Sequence, residues 1–228
     1  GSNMLNGVMI THLHSDHITD LNDVITSAWI TTFAEQKSLQ IVGPPGTKEV
    51  VDRLLHFLSF DIKYRIDHHE DLNEPPAINV TEIESGVVEL EGNVKISTEP
   101  TDHRPVDPTI AFRFDYGDDA VVVAGDTIPC AGLDKLCSGA KGLVHTVIRK
   151  DIIENIPLQR LQDVCDYHSS VEEASQTAER AGIETLTLTH YVPAFPSGQE
   201  EEWREIAAQY FSGTIELGDD LHRVEIGE

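Results

Sequence analysis

Three imidazoles and a carboxylate fall within six positions in the run Ile10-Thr11-His12-Leu13-His14-Ser15-Asp16-His17. His12 and His14 are two apart, so on an extended segment they point the same way. Asp16 and His17 then turn onto the start of the next element and bring a second pair of donors to the same place. Neutral imidazole with carboxylate is the donor set that borderline divalent ions such as zinc prefer. The bland alternative is a polar turn that happens to be rich in histidine, and this spacing argues against it. The apolar run Val8-Met9-Ile10 reads as a buried strand feeding a loop, where a rigid scaffold commonly holds a site. Further along come Thr101-Asp102-His103-Arg104-Pro105, Ala124-Gly125-Asp126-Thr127, Tyr167-His168-Ser169-Ser170 and Leu188-Thr189-His190-Tyr191.

In order and character these motifs resemble those of the metallo-β-lactamase superfamily, and within it the ribonuclease Z and arylsulfatase-like branch. The resemblance covers nearly the whole chain from Val8 onward. It implies an α/β fold of the four-layer αββα sandwich type, as a single domain over residues 5–228, with residues 1–4 an expression scar. It also implies a pair of divalent ions. His12, His14 and His103 would hold one; Asp16, His17, Asp126 and His190 would hold the other, with Asp126 bridging. Zinc is expected from the imidazole-rich set, with manganese or iron as alternatives. Such a pair can lower the pKa of a shared water and take up charge on the transition-state oxygens. Asp16 would orient or deprotonate that nucleophile, and His168 would protonate the leaving oxygen. The alternative for His168 is a histidine that caps the next helix. In that branch a Glu usually follows the His of the preceding strand and partners this acid. Here Thr146 follows His145, and a threonine cannot supply charge to the imidazole. Members of the superfamily usually carry several strands before the first metal motif, so the resemblance makes the N-terminal strands missing here. It also makes a lone monomer unstable and a homodimer the expected assembly.

With 16 basic against 40 acidic residues the 228-residue chain carries a formal charge of −24. A surface that negative repels polyanions at range, the opposite of the usual nucleic-acid binder. It reads most simply as a solvated acidic surface, as in proteins adapted to high salt. Cys130, Cys137 and Cys165 are odd in number and lack paired metal spacing, which suggests reduced thiols and a cytoplasmic setting. No apolar run approaches a membrane span and no signal peptide is visible, so no membrane partner is expected.

The elements that must position these residues follow from periodicity. Residues 20–33 carry Leu21, Val24, Ile25, Ala28 and Trp29 at helical spacing, with Trp29 and Phe33 as core. Residues 39–42 form a strand closed by Gly43-Pro44-Pro45-Gly46, a turn without the Lys-Ser/Thr ending of a phosphate loop. Thr47 caps a helix running to about Phe60. The cluster Asp67-His68-His69-Glu70-Asp71 reads as a solvated loop edge. Alternating residues between 78 and 97 predict strands broken at Gly86 and Gly92. His103 emerges at a strand end, and two strands joined by Tyr116-Gly117-Asp118-Asp119 deliver Gly125-Asp126. Leu143-Val144-His145 is another buried strand. Ser170 and Glu173 form a capping box opening a helix that stops at Gly182, and a last strand carries His190 out.

For function, the charge, the short interval from His103 to Asp126 and the missing Glu all weigh against RNA. The favoured reading is hydrolysis of a small anionic ester, a phosphodiester or aryl sulfate. Transfer-RNA 3′ processing comes second, lactone or thioester hydrolysis third, and β-lactam cleavage last. From a different class comes a metal-stabilised, non-catalytic scaffold.

Overall fold

The computed structural model describes residues 1–32, 37–194 and 198–227. These form two compact units, Gly1–Glu84 and Ser85–Glu228. In the first, β1 (Val8–Met9), β2 (Leu39–Gly43) and β3 (Ile78–Glu82) make a parallel sheet with β2 in the middle. Parallel neighbours need crossovers. Helices α1 (Ser15–Ile18) and α2 (Leu21–Ile30) make the first of them, and α3 (Thr47–Phe57) and α4 (Ser59–His68) make the second. Ile41 at the sheet centre lies opposite Val8 on one side and Val80 on the other, and buries itself with Ile10, Leu21, Ile25, Leu39 and Val51.

Helix α2 buries the stripe predicted for it, with Leu21, Ile25 and Trp29 inward. Trp29 is a core residue, and its indole Nε1 donates to the carbonyl of Glu74 at 3.1 Å. Phe33, the other predicted core aromatic of this stretch, lies outside the described residues. The start of α3 corrects one expectation. Thr47 is the first helical residue, not the cap, and its buried hydroxyl donates to the Pro44 carbonyl at 2.7 Å. The cap position falls to Gly46 at φ 101°, which its missing side chain permits. The exposed helix-end amides of Gly46 and Lys48 instead donate to Glu82 Oε1, at 2.8 and 2.9 Å, a carboxylate at a helix N-terminus. The predicted helix also ends early, at Phe57, and α4 begins anew at Ser59. Residues 67–71 are exposed as expected, although Asp67 and His68 close α4 rather than lying in a loop.

The second unit is a seven-stranded mixed sheet. Its strands are β4 (Gly86–Val88), β5 (Lys95–Pro100), β6 (Ile110–Tyr116), β7 (Asp119–Val123), β8 (Gly142–Ile148), β9 (Thr185–Val192) and β10 (Thr214–Leu217). They lie side by side in chain order, antiparallel from β4 to β7 and parallel from β7 to β10. The predicted hairpin is present: Tyr116 pairs with Asp119 across Gly117 at φ 60°. Its helices are α5 (Ala131–Cys137), α6 (Lys150–Ile153), α7 (Gln159–Gln162), α8 (Val171–Ala181) and α9 (Glu200–Ala207). Val171, Ala174 and Ala178 of α8 join Leu133, Leu143, Val147, Leu186, Leu188 and Trp203 in one apolar core. The alanines let the helix approach the sheet closely, so the strand ends are held on a rigid platform. Among the described residues no helix is long and apolar enough to cross a membrane.

Candidate metal centre

Two strands and one helix start in the second unit deliver imidazoles to a single carboxylate carried just past the end of a third strand. β5 ends at Pro100, shortly before His103; β7 ends at Val123, and Gly125 at φ 65° turns the chain into Asp126. Asp126 is 2% exposed. Its Oδ2 lies 3.3 Å from His168 Nε2 and 3.9 Å from Nε2 of both His103 and His190. The rings of His103 and His168 meet edge to face with centroids 4.7 Å apart. Two of the imidazoles have their tautomer set from behind. His103 Nδ1 lies 2.8 Å from the Tyr167 carbonyl oxygen, and His168 Nδ1 lies 3.0 Å from that of Val164. A carbonyl only accepts, so Nδ1 carries a hydrogen in each ring and Nε2 is the nitrogen that faces Asp126. Metal-ligating histidines are oriented as His103 is, so His103 with Asp126 fits a divalent ion.

The hydroxyls next to these residues hold the loops together. Thr127 Oγ1 accepts from the backbone N–H of Asp102 at 3.1 Å and lies 2.7 Å from the Ile128 carbonyl. Both the N–H and the hydroxyl of Ser169 donate to the Thr127 carbonyl, at 3.0 and 2.7 Å. The segments bearing His103, Asp126 and His168 are thereby tied to one another. Sequence reasoning did not assign these roles to Thr127 and Ser169. Their place directly after Asp126 and His168 was the only signal, and it named no partner.

His190 is placed by an irregularity. Thr146 pairs with Thr189 and Ile148 with Val192, so His190 and Tyr191 together oppose the single residue Val147. This is a β-bulge, a device that re-aims one side chain. His190 sits at φ 52°, in the left-handed region that histidine enters more readily than most residues. Tyr191 Oη donates back to the Leu188 carbonyl at 2.7 Å, and burial pushes its phenol up to about 12, keeping it a donor. His145, by contrast, is no member of the trio. It is fully buried in β8, its Nδ1 donates to the Thr146 carbonyl at 2.7 Å, and burial lowers its pKa to about 4.

The first unit gathers the other predicted ligands. His12 is buried, with Nε2 3.2 Å from His14 Nδ1 and a ring centroid 4.1 Å from that of His17. His14 is the extended residue preceding α1, so Asp16 and His17 ride on its first turns. His17 Nε2 lies 3.6 Å from Asp16 Oδ2, and the Asp16 side chain is 62% exposed. The structure thus brings together His12, His14, Asp16 and His17 in one unit, and His103, Asp126, His168 and His190 in the other. Arg104, next to His103, pairs with Asp102, and Arg149, just after β8, pairs with Asp151 and Glu202.

A family model described as a β-lactamase superfamily domain matches residues 2–191. Ribonuclease Z of Mycolicibacterium paratuberculosis is 59% identical over 227 residues, covering 99% of this chain and 81% of that protein. The chain belongs to the metallo-β-lactamase superfamily, in its ribonuclease Z branch. The fold agrees. A metallo-β-lactamase fold protein from Bacillus subtilis superposes with a TM-score of 0.69 at 19% identity, over 96% of this chain and 76% of its own. The short form of human tRNase Z gives 0.68 at 17% identity, over 100% and 82%. The chain therefore has the metallo-β-lactamase fold anticipated from its motifs, and it is a metal-dependent hydrolase of that superfamily.

Proposed function

We propose that the chain is a two-metal endonuclease of the ribonuclease Z kind, trimming transfer-RNA precursors at their 3′ side. His12, His14 and His103 would hold one ion, and Asp16, His17, Asp126 and His190 the other, with Asp126 shared. When bound, the ions would supply a water acidic enough to attack phosphorus near neutral pH and positive charge for the phosphoryl oxygens. The observation that carries this chemistry is the convergence of His103, His190 and His168 Nε2 on Asp126 Oδ2, the first two as ligands and the third as the acid beside them. Zinc is the ion such an imidazole-rich set favours.

The chain's own residues take defined parts. Asp16, with its exposed carboxylate, orients the nucleophile or takes its proton. His168 is tethered at Nδ1, so Nε2 is the atom at which it holds the proton passed to the leaving 3′ oxygen. Its neighbour Ser170 does the capping, which leaves the His168 ring to Asp126 and weakens the reading of that histidine as a helix cap.

The substrate rests on the relatives: identity of 59% over 227 residues to a protein named ribonuclease Z outweighs the composition argument. That argument put a small phosphodiester or aryl sulfate ahead of RNA because of the charge of −24. Screening confines each surface charge to about 8–10 Å at physiological ionic strength, so the total says little about the field at one site. The charge still favours the small ester as second reading. Homodimer assembly and a cytoplasmic place of work complete the proposal.

The test is metal content combined with a substrate panel. The zinc-loaded chain should cut a transfer-RNA precursor bearing a 3′ trailer at one position, much faster than it turns over bis(p-nitrophenyl) phosphate or p-nitrophenyl sulfate. Rapid ester turnover with the precursor left intact would establish the small-ester enzyme instead. Two bound ions with no turnover of any substrate would leave the scaffold.

A further inference from the structure

The ribonuclease Z resemblance implies a Glu after the histidine of β8, and Thr146 stands there instead. We propose that Thr146 is a positioning residue for Asp126, acting through the backbone and not through charge; this rests on the two-metal reading above. Its hydroxyl is buried and donates to the carbonyl of Gly125 at 3.0 Å. The parallel pairing of β7 with β8 reaches Val123 opposite Val144, and the Ala124 N–H still donates to the Val144 carbonyl at 3.0 Å. Two residues further along each strand, the Thr146 hydroxyl supplies the next link where the backbone ladder has ended. Gly125 at φ 65° turns its carbonyl to that hydroxyl, a conformation that glycine adopts without steric cost.

Asp126 is consequently pinned from both sides. The peptide before it is held by Thr146 through the Gly125 carbonyl, and the Thr127–Ile128 peptide one residue beyond it by Ser169 through the Thr127 carbonyl. Thr146 is itself held in place twice. Its carbonyl accepts from His145 Nδ1 at 2.7 Å, and it pairs with Thr189 immediately before the bulge that aims His190. One residue therefore joins the Asp126 turn to the His190 bulge. A charged partner to the acid is absent at this position, and a hydrogen bond that fixes the shared carboxylate takes its place.

Zinc affinity measured by competitive chelation on the zinc-loaded chain, comparing wild type, Thr146→Val and Thr146→Ser, tests this without any RNA. Thr146→Val should weaken zinc binding about tenfold or more, the loss typical of removing a supporting bond behind a ligand, and Thr146→Ser should restore it. On precursor RNA, kcat should fall in the valine variant while KM holds. Equal zinc affinity in the valine variant and wild type overturns the proposal. So does a loss that serine fails to restore, because packing and not the hydroxyl would then matter. If the valine variant does not fold, Thr146→Ala against Thr146→Ser decides: a side chain with no donor must bind zinc more weakly, and parity overturns the idea. Wild type that binds zinc but leaves the precursor whole strikes the substrate reading alone; wild type that binds no zinc strikes the two-metal reading itself.

Discussion

Asp126 gives the sharpest residue-scale prediction, because three rings address one of its oxygens. Asp126→Ala should release both ions, measured as zinc per chain after gel filtration; two retained ions would end the bridging role. His168→Ala should leave the metal content unchanged and slow cleavage about 100-fold or more. An unchanged rate would remove His168 as the acid. His145 gives a pH prediction. Its ring falls from 6.5 to about 4 through burial, so in the fold it stays neutral where the unfolded chain takes up a proton. Stability is full above pH 6.5 and is lost as pH falls toward 4, by about 3 kcal/mol in all. Urea midpoints of the chelated chain between pH 7 and 4 should therefore drop less in His145→Leu than in wild type; equal drops would mean the ring is not held neutral. The donor-rich stretch from His12 to His17 stood out in the sequence, since imidazole and carboxylate at close spacing have few other uses, whereas His103, Asp126 and His190 came only from the family resemblance. The hydroxyls of Thr127, Thr146 and Ser169 were not, because a hydroxyl bonds whatever carbonyl the fold presents and its partner lies about 20 to 40 residues away.

At the scale of elements, α8 is where sequence and structure agree most closely. The capping box of Ser170 with Glu173 and the stop at Gly182, φ 69°, are both present. Losing a serine cap costs about 1 kcal/mol, so Ser170→Ala should lower the urea midpoint by that equivalent. Zinc affinity should stay as it is, since Ser169 and not Ser170 binds the Thr127 carbonyl. Strands with alternating or continuous apolar residues were equally readable. The bulge in β9 was not: Leu188-Thr189-His190-Tyr191 reads as plain strand, and only the pairing with β8 shows the extra residue. The α3 start was misjudged because Thr47 followed by Glu49 and Asp52 imitates a capped, acidic helix start, while the actual partner, Glu82, comes from another strand. Helices α5 and α9 and strand β10 went unpredicted; they span only seven, eight and four residues, too short for periodicity to stand out.

For the whole molecule, the motifs were enough to indicate the fold, because they recur in a fixed order along the chain. The charge balance pointed to a small ester while the relatives are named ribonuclease Z, and a sum over 228 residues is not a local potential. Precursor binding should respond weakly to salt: with only 16 basic residues, and Arg104 and Arg149 both engaged by carboxylates, few counterions are released per complex. A steep salt dependence of the binding constant would reveal a basic surface that composition hides. Chelation should lower the melting temperature, and zinc should restore it, because ions that bind only the native state stabilise it by mass action.

Three adjacent positions answer to three separate demands: His168 to the carboxylate, Ser169 to the Thr127 peptide, Ser170 to the end of a helix. Adding or deleting a single residue there would put all three out of step at once, whereas a point change disturbs one. The His168 ring is also moored to Val164, so added chain should be absorbed better upstream of that residue, around the exposed Glu154 and Asn155, than between Val164 and His168. Loops grafted at that place should leave cleavage intact, and the same graft four residues before His168 should abolish it.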